Sequence, residues 1–239
     1  MKTVAVLLAS CLLAAPLLAE GAASTPTVEE LLEKYVAAIG GKAAWEKLTS
    51  RFVKGTQEYV GGGSTDPVEI YMKAPNSSLI VANTLDGVSR EGFDGSAGWV
   101  KFAEEPVRDM NKEELSWARG NSVFYRELHL NDFYAEMKVT GTEKVKGRDA
   151  WVVEAKPKEG SPERLYFDSS SGLLLQRNYL GNTWQGPTEI WAFYEDYRDV
   201  DGIKLPFTIR QVNSDIILRI AEVQHNVPLE EAKFKKPSN

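Results

Sequence analysis

Apolar and polar positions along this 239-residue chain follow two different periods, and the change of period divides it. From Val28, the apolar residues Val28, Leu31, Leu32, Tyr35, Val36 and Ile39 recur at spacings of three and four, which places them on one face of a helix. Thr27 and Glu30 precede the stripe at capping-box spacing, so each side chain can satisfy a backbone N–H left open by the first turn. Gly40-Gly41 ends the pattern, since glycine takes the left-handed conformation at little cost. A second short helix is predicted over Lys42–Leu48, with Trp45 and Leu48 facing inward.

From Arg51 the pattern changes to short runs rich in β-branched and aromatic residues, separated by turn residues. Strands are predicted at Arg51–Val60, Val68–Lys73, Ser78–Leu85, Val88–Phe93 and Gly98–Phe102, with a tight hairpin at Asp86-Gly87. Helical composition interrupts at Met110–Ala118 and Ser122–Leu130, divided by Gly120, and Asn111 with Glu114 repeats the capping spacing. Strands resume at Phe133–Thr140, Ala150–Lys156, Glu163–Phe167, Leu173–Leu180, Pro187–Tyr197, Ile203–Val212 and Asp215–Gln224. Pro206 falls inside one of these runs, which predicts an edge strand or a bulge there, because proline cannot donate to a ladder. The reading is a meander of about ten strands with two small helices inserted over one face, forming a barrel or a strongly curved open sheet.

The N-terminus carries a different signal. A short positive start, Met1-Lys2-Thr3, leads into an apolar run from Val4 to Leu18, too short to span a bilayer comfortably, and small residues follow. This reads as an export signal over residues 1–23, cut after Ala19 or Ala23, leaving one domain over 24–239; an uncleaved anchor is the alternative. The one cysteine, Cys11, stands in Leu8-Ala9-Ser10-Cys11, which resembles a lipoprotein acylation site, but apolar residues continue after it as in the middle of a signal peptide. Ordinary cleavage therefore leaves a periplasmic protein without thiol or disulfide. The net charge of −6 becomes −7 when Lys2 departs with the signal, a sign that disfavours nucleic acid and anionic headgroups at the surface.

Catalytic motifs are missing. His129 and His225 sit in no recognisable triad, and Gly95-Ser96-Ala97-Gly98 reads as a turn rather than a nucleophile elbow. No H-E-x-x-H or C-x-x-C spacing marks a metal site, and Asp196, Asp199, Asp201 and Gly202 read as a polar hairpin loop. Gly61-Gly62-Gly63 lacks the residues and context of a phosphate loop. The informative signal is apolar excess. Leu173-Leu174-Leu175 and Ile216-Ile217-Leu218 place apolar side chains on both faces of their strands, and Trp99, Trp151, Trp184 and Trp191 lie in or beside strands. A sheet wet on one face would alternate cleanly. Both faces are therefore partly covered, either by a two-sided core or by a core and the wall of an apolar cavity.

Several local signatures resemble the bacterial outer-membrane lipoprotein-sorting proteins of the LolA/LolB-like superfamily. They are Ile39-Gly40-Gly41 with Trp45, Lys54-Gly55-Thr56, Lys73-Ala74-Pro75-Asn76, Gly92-Phe93-Asp94-Gly95 with Gly98-Trp99, Leu165-Tyr166-Phe167-Asp168 with Gly172-Leu173-Leu174, the run from Asp196 to Pro206, and Asn226-Val227-Pro228 with Phe234. The resemblance implies a mainly antiparallel, half-open β-barrel with a helical lid, whose interior receives a lipid or lipoprotein acyl chain without catalysis, cofactor or metal. On that basis Trp99, Leu174, Trp191 and Phe193 are expected to line the interior, and Trp117 and Phe124 to belong to the lid. The carrier's functional arginine has no unique counterpart; Arg177, Arg198 and Arg210 are the candidates on or beside strands. A monomer is expected, and the alternative function is a regulatory or scaffold domain docking on an envelope membrane protein.

Overall fold

The computed structural model describes residues 24–183 and 186–238. The export signal, its cleavage positions, Cys11 and Trp184 lie outside the described residues.

Helix α1 (Val28–Ala38) carries the expected capping box: Glu30 N–H donates to Thr27 Oγ1 at 3.1 Å and Thr27 N–H to Glu30 Oε2 at 2.7 Å. Its stripe buries Leu31 and Tyr35, and Ile39 follows at the cap. The second helix, α2 (Lys42–Trp45), is shorter than predicted, but Trp45 and Leu48 are both buried.

Among the described residues thirteen strands, more than the expected ten or so, form one antiparallel open sheet. The first six are β1 (Ser50–Tyr59), β2 (Thr65–Lys73), β3 (Ser77–Thr84), β4 (Gly87–Phe93), β5 (Gly98–Lys101) and β6 (Arg108–Asp109). The other seven are β7 (Tyr134–Val145), β8 (Arg148–Pro157), β9 (Glu163–Asp168), β10 (Leu174–Thr183), β11 (Gly186–Val200), β12 (Ile203–Val212) and β13 (Ile216–His225). Their spatial order is β6-β5-β4-β3-β2-β1-β13-β12-β11-β10-β9-β8-β7. Each half is a meander, and the pairing of β1 with β13 joins them at the centre. The sheet is an incomplete barrel whose edges are β6 and β7.

The chain between those edges crosses one face of the sheet. It contains α3 (Lys112–Asn121) and 3-10 turns at Arg126–Leu128 and Leu130–Phe133. The Asn111–Glu114 capping box is present. Two expectations are corrected here. Gly120 does not divide two helices; α3 runs through it, as a single glycine near a helix end costs only about 1 kcal/mol. The second predicted helix is replaced by the two tight turns. Phe124 N–H donates to Pro75 O at 2.9 Å and Tyr125 Oη to Leu48 O at 2.7 Å, so sheet and loop contacts take the backbone and aromatic groups a helix would have arranged differently. The crossing segment also reaches the far half, where Asn182 Nδ2 donates to Glu113 Oε2 and Ser116 Oγ to Glu159 Oε2.

The face under α1 and the crossing segment holds the main core, including Leu31, Tyr35, Trp45, Phe124, Phe167 and Phe207. The opposite face holds two smaller clusters. One joins Val145, Val152, Tyr166 and Leu175, and the other sets Leu79 and Trp99 against Phe234 of the C-terminal tail. The Leu173-Leu174-Leu175 run thus supplies both faces, with Leu174 under the helices and Leu175 opposite.

The expectation for Pro206 is also corrected. β12 lies between β11 and β13, well inside the sheet. Its ladder with β13 covers only Thr208–Gln211, however, while its pairing with β11 continues to Ile203. Lys204 N–H points away from β11 and donates to Ile39 O at 3.0 Å. Pro206, two residues on, has the same backbone orientation, so its missing donor falls where no neighbouring strand asks for one.

Candidate ligand-binding cavity

The parting between β12 and β13 opens into a cavity of about 210 Å³ beneath α1 and the crossing segment. Alternation along β1 directs Arg51 and Val53 into it, while Phe52 packs against Tyr71 on the other face. Leu165, Leu174, Leu205, Ile209, Ile220 and Val223 give it apolar walls. Tyr35 comes from α1, and Arg126, Glu127 and Leu130 from the crossing segment. Tyr194 and Tyr197 both line it although three residues apart on one strand. Asp196 between them has φ +54, which interrupts the regular pleat.

The polar groups are few and mostly accounted for. Tyr35 Oη donates to Glu127 Oε2 at 2.8 Å, and Tyr197 Oη to Leu174 O at 2.8 Å. Burial holds both hydroxyls well above the ordinary tyrosine range, with the Glu127 charge acting the same way, so both stay protonated. Arg177 makes a bidentate pair with Glu163 at 2.8 and 2.7 Å, and Tyr134 Oη donates to the same carboxylate at 2.9 Å. That pair raises the Arg177 guanidinium above its usual value despite burial.

Arg51 is different. Its guanidinium carbon lies 5.1 Å from the Trp45 ring centroid and 5.3 Å from that of Phe124, between two π faces. Nε–H donates to His225 Nε2 at 3.2 Å, and His225 Nδ1 lies 2.9 Å from Asp201 Oδ2. The accepting nitrogen requires neutral His225 protonated at Nδ1, donating to Asp201. Burial, reinforced by the Arg51 charge, lowers the imidazole's affinity for a second proton, with Asp201 opposing. The residue as a whole keeps intermediate exposure, yet Arg51 Nη2 is sealed from solvent and has no hydrogen-bond partner, the one such buried side-chain atom among the described residues. Burial pushes the guanidinium down to about 10, with Glu127 acting upward, so it remains a cation at neutral pH.

The expected site residues separate. Leu174 and Arg177 are on the cavity wall. Phe124 is buried in the core beside it, within the crossing segment. The others are placed elsewhere. Trp99 lies on the opposite face under the C-terminal tail, its Nε1–H donating to Phe234 O at 2.8 Å. Phe193 packs on the opposite-face cluster with Lys146 over its ring. Trp191, paired with Asn178, shares that orientation and is 40% exposed. The reason is parity: Ala192 and Tyr194 take the helix-covered side of β11, so their neighbours 191 and 193 take the other. Trp117 turns outward from α3, which packs through Ala118 instead. Arg198 pairs with Asp196 and Arg210 with Glu195, both outside the cavity lining. Sequence reasoning missed Arg51; its signal was a cation at an inward position of a strand whose other inward residue is Val53.

A larger hollow of about 610 Å³ lies by β7–β11, but Glu136, Lys138, Glu154, Lys156, Arg164 and Glu189 give it a charged lining unsuited to an apolar guest. Among the described residues no group of three or more His, Cys, Asp or Glu is placed to hold a metal, and no helix is long and apolar enough to cross a membrane.

The fold recurs in solved structures. This chain is similar to a putative outer membrane lipoprotein-sorting protein domain from Vibrio parahaemolyticus, at 13% identity and TM-score 0.59 over 86% of this chain and 94% of that one. A LolA superfamily protein from Nitrosomonas europaea aligns at 14% identity and TM-score 0.58, covering 89% and 99%. The fold is LolA-like. A DUF1329 family protein from Desulfovibrio piger shares it too, at 17% identity and TM-score 0.61, covering 88% and 98%. No family model and no curated protein matches the sequence. The LolA-like fold fixes the architecture around the cavity; at these identities the chemistry of the wall has to be argued from the residues themselves.

Proposed function

We propose that this is an exported, periplasmic, non-catalytic binding or carrier protein for a hydrophobic ligand such as a lipid or lipoprotein acyl chain. The observation that carries the reading is the cavity between the sheet and its cover, walled by Leu165, Leu174, Leu205, Ile209, Ile220 and Val223. Transfer of an acyl chain into such a hollow is favourable by about 25 cal/mol per Å² of apolar surface removed from water. The volume of about 210 Å³ falls below the roughly 300–1,000 Å³ of small-molecule sites, so loading requires the cover to shift or the β12–β13 parting to widen. Few polar bonds hold the crossing segment there: Tyr35–Glu127 joins it to α1, and Phe124 N–H to Pro75 O, Tyr125 Oη to Leu48 O and Ser78–Ser122 tie it to the sheet and its loops. Mature protein purified from its native envelope should carry lipid detectable by mass spectrometry, and delipidated protein should take up a fluorescent fatty acid. Lipid-free protein that also takes up none would overturn the reading.

A further inference from the structure

The charges on the wall do not balance, and the imbalance has a location. Arg177 is neutralised by Glu163, and Lys204 is exposed. Of the remaining lining residues, Arg51 and Arg126 are cations and Glu127 is the one carboxylate. Arg126 donates to Gly120 O and lies over the Phe133 ring, and Glu127 accepts from Tyr35. His225, the polar partner of Arg51, is neutral. One positive charge therefore stays uncompensated in a site largely shielded from water, a costly arrangement that persists only if something else stabilises it. Two aromatic faces and one histidine hold Arg51 in place, while Nη2 remains free to donate.

We propose that the cavity takes a single-chain lipid bearing one carboxylate, a free fatty acid, with its head group on Arg51 and its chain along Leu205, Ile209, Ile220 and Val223 toward the β12–β13 parting. One negative charge satisfies both the charge balance and the open donor. A planar carboxylate matches the guanidinium fork, and each such bond is charge-assisted. The acyl groups of a lipoprotein are attached through neutral ester and amide links and would leave Arg51 as it is. The Asp201–His225 pair positions Arg51, since the neutral imidazole accepts from Nε–H and leaves the two Nη groups for the ligand. The inference rests on the carrier reading and narrows it to a ligand class.

The test compares oleate with oleyl alcohol, which has the same chain and no charge, by displacement of a bound fluorescent probe from the delipidated protein. Oleate should bind about tenfold tighter or more, and Arg51→Gln should remove that preference while alcohol binding persists. Arg51→Lys should retain part of it, having charge without the fork. Circular dichroism establishes that each variant is folded, and Arg126→Gln, which removes the second cation, should reduce the preference independently. Equal affinity for oleate and alcohol in the unmodified protein would overturn the head-group assignment and leave the carrier reading standing. Failure of both ligands to bind would overturn the carrier reading itself. Tighter binding of a phosphate-headed chain, lysophosphatidic acid, than of oleate would overturn the carboxylate assignment.

Discussion

Gly40 lies against Gly202 so closely that a Cβ on Gly40 would sit 2.2 Å from the Gly202 carbonyl oxygen. The contact docks the end of α1 onto the start of β12, next to the bond from Lys204 N–H to Ile39 O. Gly40 also has φ +110, a conformation side chains rarely adopt. Gly40→Ala should therefore cost about 2–4 kcal/mol by strain and clash together. Gly41→Ala is the control. Its φ is +79 but nothing lies within 4 Å of the added Cβ, so only the left-handed penalty of about 1–2 kcal/mol applies. Urea denaturation of both variants measures the difference; equal losses would mean that the helix end is not docked as described.

The two arginines on the cavity wall, Arg177 with a carboxylate partner and Arg51 without one, predict substitutions of opposite sign. Glu163→Ala strands Arg177 and opens the Tyr134 hydrogen bond, and should destabilise by about 3–5 kcal/mol. Arg51→Met removes a cation that has no carboxylate partner and fills the same slot between Trp45 and Phe124. The ligand-free variant should be as stable as the parent or more so, by up to about 2 kcal/mol, because a functional group is retained at a cost in stability. Thermal melts of delipidated protein distinguish the two directions.

His225 predicts a pH dependence. Its folded-state affinity for a proton lies below the ordinary value, chiefly from burial; the hydrogen bond to Asp201 opposes this and the Arg51 charge adds to it. Below about pH 6.5 the unfolded chain takes a proton that the folded chain refuses. Stability from this group is thus present above that pH and declines as pH falls toward the lowered folded value. His225→Gln can still accept from Arg51 Nε and donate to Asp201, and should flatten the drop in melting temperature between about pH 7 and 5.5. An unchanged slope would place the titrating group elsewhere.

Trp99 should matter to the tail and not to the ligand. Trp99→Phe keeps the ring contact with Leu79 and Phe234 but leaves the Phe234 carbonyl without its 2.8 Å donor, a loss of about 1–3 kcal/mol. Residues 226–238 should then exchange amide hydrogens faster while oleate affinity is unchanged. A fall in affinity in a folded Trp99→Phe protein would mean that the two faces of the sheet have been confused.

Much of the fold was legible because it follows from local rules. The capping boxes at Thr27 and Asn111 and the β3–β4 hairpin are nearest-neighbour chemistry, and each is present, although the turn falls on Leu85-Asp86, one residue before the expected Asp86-Gly87. The site was legible only in part. Of the residues expected to line the interior, Leu174 faces the cavity while Trp191 and Phe193 face the opposite side, since a shift of one residue in a strand exchanges its faces; of the three candidate arginines, Arg177 alone reaches the cavity wall. Arg51 escaped notice because a lone arginine near a strand start reads as a solvated charge. Only its placement between Trp45, Phe124 and His225, the last 174 residues away, makes it unusual.

The amino-acid order alone determined an antiparallel β chain with an amphipathic helix before it and a helical interruption at its middle, because hydrophobic period, caps and turn residues act over a few positions. The tertiary structure decided which face of each strand meets the helices, that β12 and β13 part around Pro206, and that an arginine without a carboxylate partner stands in the resulting hollow. Those features depend on pairings between distant segments, β1 with β13 above all, whose energies are set by packing and desolvation that no local pattern records.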